Sequence, residues 1–282
     1  MAGRYRAPSF GDGRTLGGVS PRKRSEQRLV RPWSHDDPSR GRRPVTLATE
    51  EPMAIELDGT RVATTMRTPG NDFELAVGFC HNEGLLAGFT PIEVKYCANG
   101  SAAATAFNIV TVSTGGRAPE PTPRLATTTS SCGFCGTDEI DELAATLEPV
   151  TGDPVEWGVL ADAPDKLRPM QDLFDTTGAV HAAGVVEPDG GIALVREDVG
   201  RHNAVDKLVG RMVLDGQART GKAVVVSGRA SFELVHKAWA AGFRALVAVS
   251  APTALAVATA ERAGLQLAGF ARDGALEIYV DA

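Results

Sequence analysis

Two cysteines two residues apart, Cys132 and Cys135 in "TTSSCGFCGT", are the residues whose type and spacing most directly offer chemistry. Three readings compete. A structural zinc ion wants four soft ligands, usually as two pairs. The chain has one CxxC, and Cys80-His81, which could add two ligands, falls inside a stretch of helical spacing. A redox dithiol sits at a helix N-terminus, where the dipole lowers a thiol pKa. CGFCG does precede the helix-like "TDEIDELAATL", but Asp138, Glu139, Asp141 and Glu142 crowd that start and push the other way. The third reading is a nucleophilic thiolate on a loop. It suits the flanking Gly133 and Gly136 and the approach through Pro119, Pro121 and Pro123. A catalytic deaminase-type zinc site would show H-x-E and P-C-x-x-C, whereas the chain reads "HAA" and places Ser131 before the first cysteine.

Three further stretches concentrate polar groups. "REDVGRHNAVDK" packs Arg196, Glu197, Asp198, Arg201, His202, Asn203, Asp206 and Lys207 between a strand end and a helix start. His202 and Asp206 stack at helical spacing, and the carboxyl end of a strand is where α/β sheets bind ligands. "VVVSGRASFELVHK" repeats the arrangement with Ser227, Gly228 and Arg229 before a helix that starts near Ser231. Backbone N–H groups beside an arginine make an anion cradle there, although a plain βα turn would read the same. His236 and Lys237, on the helix itself, read as surface residues. "GFARDGALEIY" carries an Asp273-Gly274 hairpin signal that can present Arg272 and backbone groups to a ligand.

The elements that must position these groups follow from periodicity. "MAIELDGTRVATTMRT" alternates about Asp58-Gly59, a type I′ hairpin signal. Pro69-Gly70 stops it. "NDFELAVGFCHNEGLL" has helical spacing, with Asn71 or Asp72 as cap and Phe73, Val77, Cys80 and Leu85 on one face. "EVKYCANG" and "AFNIVTVST" read as strands, so Cys80 and Cys97 read as packing residues. "DAPDKLRPMQDLFDTTG" reads as helix from Asp162, split by Pro169. Beyond it strands and helices alternate, with near-continuous Val, Ala and Leu strands and a closing antiparallel hairpin. This predicts an α/β fold with a mixed, mostly parallel sheet covered by helices, and a smaller β-rich part before it.

Of 282 residues, 43% are hydrophobic and 23% charged, which is ordinary globular composition. No stretch approaches the ~20 apolar residues of a membrane span. Residues 1–45 hold eleven Arg and Lys against four acids, about +7, leaving about −13 for the rest. That Gly-, Arg-, Ser- and Pro-rich segment reads as a disordered basic tail. It could touch nucleic acid, an acidic partner or the body itself, or serve no specific role. Arg42-Arg43 lacks the apolar stretch of an export signal, so the expected compartment is reducing and disulfides are not expected. Residues 46–282 are expected to form one domain, divided at most into 46–130 and 150–282 joined by the CxxC loop region.

Taken in order, "TTSSCGFCG", "REDVGRHNAVDK", "VSGRASFELVHKAW" and "GFARDGALEIY" resemble the FdhD family, the formate dehydrogenase accessory sulfurtransferases, from about residue 46 to the end. The resemblance implies a cytidine-deaminase-like fold and a cytoplasmic homodimer. It implies a sulfur carrier that receives a cysteine persulfide from a cysteine desulfurase. The sulfur then passes to a molybdenum (or tungsten) bis(molybdopterin guanine dinucleotide) cofactor, bound as cargo, before that cofactor enters the formate dehydrogenase catalytic subunit. Cys132 and Cys135 match the family's CxxC, with Cys132 as the persulfide carrier. Phe270, Ala271, Arg272, Asp273, Gly274 and Ala275 match its cofactor-binding stretch, to which Ser227, Gly228, Arg229 and His202 could add contacts. No tightly bound metal of its own, no nucleic acid and no membrane are expected. The alternatives are a cofactor-binding chaperone that needs no thiol and a small zinc hydrolase on a related fold.

Overall fold

The computed structural model describes residues 22–37, 41–97, 105, 107–121 and 147–282. Its first elements fall where none is expected. Strands β1 (Ser25–Val30) and β2 (Arg43–Ala48) pair antiparallel, so the basic segment is structured over part of its length and residue 45 lies within a strand. A lone two-stranded ribbon is marginal in water, and arginines anchor this one. Arg22 binds Glu51 and reaches Asn108 Oδ1 at 2.5 Å. Arg24 lies 4.0 Å from Glu197. The described part of the segment thus engages the body of its own chain.

Strands β3 (Glu51–Leu57) and β4 (Thr60–Arg67) form the expected hairpin. Asp58 and Gly59 take φ of 46° and 91°, the left-handed pair that a type I′ turn requires. After Pro69-Gly70 comes helix α1 (Asp72–Asn82), then strands β5 (Glu93–Tyr96) and β6 (Ile109–Ser113). The sheet order is β4-β3-β6-β5. Helix α1 buries Leu75, Val77 and Cys80 against Met53, Ile55 and Val110. Cys80 is therefore a core residue as expected, whereas Cys97, just past β5, is only half-buried.

The second sheet is built from β7 (His181–Val186), β8 (Ile192–Asp198), β9 (Ala223–Val226), β10 (Ala245–Ala248), β11 (Gln266–Arg272) and β12 (Ala275–Val280), ordered β12-β11-β10-β9-β7-β8. Strands β9, β10 and β11 are parallel, while β7, β8 and β12 join antiparallel. The sheet is mixed but less parallel than the strand–helix alternation suggests. The turn between β7 and β8 is too short for a crossover, so these strands can only be antiparallel.

Helices cover both faces. Alternation along each strand sends Val224 and Val226 to one side and Ala223 and Val225 to the other. On the first side lie α4 (Arg201–Leu214), α5 (Phe232–Ala241) and α6 (Ala254–Ala263). On the second lies α2 (Trp157–Leu167), followed by a 3-10 turn (Arg168–Met170) and α3 (Asp172–Thr177). The expected split near Pro169 is present, but α2 begins at Trp157, so Asp162 is inside the helix and not its cap. Among the described residues no helix is long and apolar enough to cross a membrane.

Helices α1 and α4 join the two sheets at very close range. A Cβ added to Gly78 would lie 1.8 Å from the Asp206 carbonyl oxygen, and one added to Gly210 would lie 1.8 Å from that of Glu74. Only glycine allows this backbone approach. A salt bridge and a hydrogen bond to a carboxylate flank the crossing. Arg196 grips Glu74 with two contacts of 2.5 and 2.9 Å, and Asn82 donates to Asp206 Oδ1 at 2.7 Å.

His81, on α1, gives the fold a pH signature. Burial, with a smaller push from Arg219, lowers its pKa from the ordinary 6.5 to about 4. The unfolded chain takes up a proton that the folded chain refuses, so stability falls as pH drops from about 6.5 towards 4. The full shift corresponds to about 3 kcal/mol. Urea midpoints measured across that window should fall, and His81→Gln should flatten the slope. An unchanged slope in the variant excludes His81 as its source.

Candidate functional site

The carboxyl ends of β9 and β11 and the start of β7 open onto a cavity of about 590 Å³. This is where α/β sheets leave backbone groups and helix starts free for ligands. Ser227, just past β9, is fixed by exchange with β7: its N–H donates to the Ala182 carbonyl at 3.0 Å, and the Ala182 N–H donates to its Oγ at 2.9 Å. Ala271 and Arg272 enter from β11, and His181 from the first position of β7. The connection from α2 to α3 contributes Arg168, Gln171 and Phe174. Arg168 is held by Asp175 at 2.6 Å, with its guanidinium 5.0 Å over the Phe174 ring. The carboxylate of Glu197 accepts the N–H groups of Leu173 and Phe174 at 2.9 and 2.8 Å, which fixes the start of α3 beside the cavity.

Residues distant in sequence therefore converge. Ser227, Ala271 and Arg272 line the cavity, and Gly228 adjoins His181, whose Nδ1 lies 3.4 Å from where a Gly228 Cβ would stand. Arg229 is exposed in the same turn. Phe270 is 39% exposed at φ 50°, a strained conformation for an aromatic residue. Asp273 and Gly274, at φ 52° and 70°, form the expected turn. Gly274 sits beside Asp162 of α2, and Ala275 is exposed, so this end of the stretch leans outward from the cavity. Cys132 and Cys135 lie outside the described residues, as does the helix expected after them.

The polar run before α4 divides in two. Most of it is internal scaffolding, not a ligand site. Asp198 and Lys207 form a fully buried pair at 2.7 Å. Lys207 also donates to the Thr68 carbonyl at 2.9 Å, and Asp198 accepts from the Thr68 N–H at 3.1 Å. Asn203 does not cap α4; its amide donates to Asp198 and to the Met66 carbonyl. Asp206 pairs with Lys237 at 2.8 Å, so Lys237 and its neighbour His236, expected on the surface, are buried. Burial pulls the Lys237 pKa down, but the carboxylates of Asp206 and Glu83 outweigh it and hold the lysine charged. The apparent His202–Asp206 stack thus separates: Asp206 faces α5 and α1, and His202 faces Glu233, 3.6 Å from its Nε2.

The second part of the run stays near the cavity. The His202 imidazole holds the Glu233 carboxyl well below the usual carboxylate range. His181 is pushed down by burial first and then by the adjacent charges of Arg201 and His202. Sequence reasoning met His181 only as the histidine of "HAA", which lacks the deaminase glutamate, and passed over Glu233. The signal for His181 was a histidine opening an otherwise apolar strand, "HAAGVV". Cys80 is excluded as a neutral-pH nucleophile, because burial and then nearby carboxylates push its thiol far upward.

Residues 48–282 match the model of the FdhD/NarQ family. A Streptomyces coelicolor protein named sulfur carrier protein FdhD is 47% identical over 250 residues, covering 85% of this chain and 89% of its own. A Mycobacterium tuberculosis protein of the same name is 42% identical over 255 residues, covering 85% and 91%. Among solved structures, one described as a formate dehydrogenase accessory protein from Desulfotalea psychrophila superposes with a TM-score of 0.71 at 21% identity. It covers 92% of this chain and 98% of that one, a likeness of fold.

Proposed function

The chain belongs to the FdhD/NarQ family, and from that premise we propose that it carries sulfur for the maturation of a formate dehydrogenase. The Cys132 thiolate attacks the terminal sulfur of a persulfide on a cysteine desulfurase. A new S–S bond forms on Cys132, the donor's S–S bond breaks, and the donor cysteine leaves as thiolate. The sulfur then passes to a molybdenum or tungsten bis(molybdopterin guanine dinucleotide) held as cargo, and the catalytic subunit of the dehydrogenase receives the product. The observation that carries the reading is the convergence of Ser227, Ala271 and Arg272 on one cavity in a chain whose relatives are named sulfur carriers. In that cavity Arg272 supplies charge, and Ser227 with its turn supplies hydrogen-bond groups for a nucleotide's phosphates.

Mass spectrometry tests the first step. After incubation with a cysteine desulfurase and cysteine, the peptide containing Cys132 should gain ~32 Da, one sulfur added by thiolate attack. Reduction with a thiol should remove it. Absence of that species while the chain still binds the cofactor replaces the carrier with a cofactor-holding chaperone.

A further inference from the structure

Helix α3 forms part of the cavity wall but has little support of its own. It is six residues long, buries only Leu173, and gains no side-chain cap from Gln171 before it. A helix this short does not hold itself in water. Yet it shapes the cavity. Gln171, Phe174 and Gly178 line it, and Asp175 with the Phe174 ring holds Arg168, another lining residue. The hold on α3 comes from outside. Glu197 of β8, 6% exposed, takes the place of the missing cap by accepting the Leu173 and Phe174 N–H groups at 2.9 and 2.8 Å. The same oxygen that accepts from Leu173 faces the guanidinium of Arg24, just before β1, at 4.0 Å. Beyond its own pairing, the β1–β2 ribbon packs chiefly on α3, through β2. The Thr49 N–H, just past β2, donates to the Arg24 carbonyl at 2.9 Å, so Arg24 moves with the ribbon.

We propose that Arg24 and Glu197 are positioning residues for the cavity, through which the β1–β2 ribbon acts as a strap on α3. The proposal rests on the carrier reading for what the cavity retains, the nucleotide part of the cargo. Neither residue lines the cavity; each acts through its neighbour. Arg24 balances the charge of Glu197, and a carboxylate taken out of water is stabilised by a cation beside it. Glu197 fixes the start of α3 through two charge-assisted hydrogen bonds. Helix α3 in turn sets Phe174 and, through Asp175, Arg168. Lifting the ribbon removes the cation and the surface on which α3 leans. Docking of the ribbon and retention of the cargo are then one coupled equilibrium, each favouring the other.

Amide hydrogen exchange in the full chain separates this from a purely structural role. The Leu173 and Phe174 amides report local opening of α3, whereas those of β9 report global unfolding. Glu197→Gln should speed Leu173 and Phe174 by about tenfold or more, the loss of a hydrogen bond to a charged group. Arg24→Gln should speed them by up to about fivefold, the range for a partly exposed ion pair, with β9 at the parent rate. Arg24→Lys should restore the parent rate. Added to Glu197→Gln, Arg24→Gln should change nothing further, because the ribbon acts through that carboxylate. In the parent, guanosine diphosphate should slow exchange at Leu173 and Phe174 and also in β2, which lies outside the cavity. Parent exchange rates at Leu173 and Phe174 in Arg24→Gln, or a full added effect in the double variant, overturn the strap. Exchange in β2 that ignores bound guanosine diphosphate overturns its coupling to the cargo. The two readings fail separately. A parent that binds no guanosine diphosphate removes the cargo from the cavity, while faster, Lys-rescued exchange in Arg24→Gln still upholds the strap.

Discussion

Gly210→Ala is expected to destabilise the protein by on the order of 3 kcal/mol or more. The new methyl would stand 1.8 Å from the Glu74 carbonyl oxygen and 2.7 Å from the Gly78 nitrogen, where ordinary contact begins at 3.4 Å. These are backbone atoms of a packed helix, so no rotamer change relieves them. The helices must part, and parting strains the Arg196–Glu74 and Asn82–Asp206 contacts on either side. Gly78→Ala is the mirror-image case, with 1.8 Å to the Asp206 oxygen. Gly158 in α2 is the control, because a Cβ there meets nothing within 4 Å. Alanine usually favours a helix over glycine by up to about 1 kcal/mol, so Gly158→Ala should be neutral or stabilising. Urea unfolding of the three variants measures this directly. A Gly210→Ala midpoint equal to that of the parent would show that the crossing is loose.

Cys132→Ala is expected to abolish the maturation of formate dehydrogenase, reducing its activity to that of cells lacking the protein, with the fold unchanged. The expectation follows from the carrier role, in which Cys132 holds the sulfur. Cys80 cannot substitute, being fully buried with its thiol driven far above neutrality. Cys97→Ser, at a half-buried position past β5, should leave activity intact. Full dehydrogenase activity with Cys132→Ala would end the persulfide mechanism and leave cofactor holding as the remaining role. Cys135→Ala then shows whether the second thiol of the motif is required.

What could be read from the sequence was mostly local. Asp58-Gly59 and Asp273-Gly274 announced their hairpins because a type I′ turn demands left-handed backbone at both positions. The run from β9 to β11 was legible because β9 and β10 are apolar throughout and helices separate the strands. Pairings across long separations were not legible. Asp206 and Lys207 read as part of a ligand-binding run and Lys237 as a surface residue, since their partners lie on α1, on β8 and near the end of β4. Strands β1 and β2 were hidden for the opposite reason: exposed on most positions, they carry no hydrophobic alternation, and only tertiary anchoring by Arg22 and Arg24 fixes them. Of the site, Ser227 and Arg272 stood out by type and position. His181 did not, because a lone histidine in an apolar strand carries no spacing signal.

The glycine crossing and its flanking polar contacts also bear on how this protein can change over time. A module that folds alone can be exchanged between relatives by recombination. Here each half supplies the other's missing surface: α1 lacks a side chain at Gly78 because α4 fills that place, and the Asp198–Lys207 pair is completed by Thr68 from the other half. A chimera with one half from a distant relative would inherit a misfit at the crossing and, where Glu74 or Arg196 is not matched, an unpaired charge beside it. The two sheets are therefore expected to be inherited as one block, with substitutions on α1 answered by substitutions on α4.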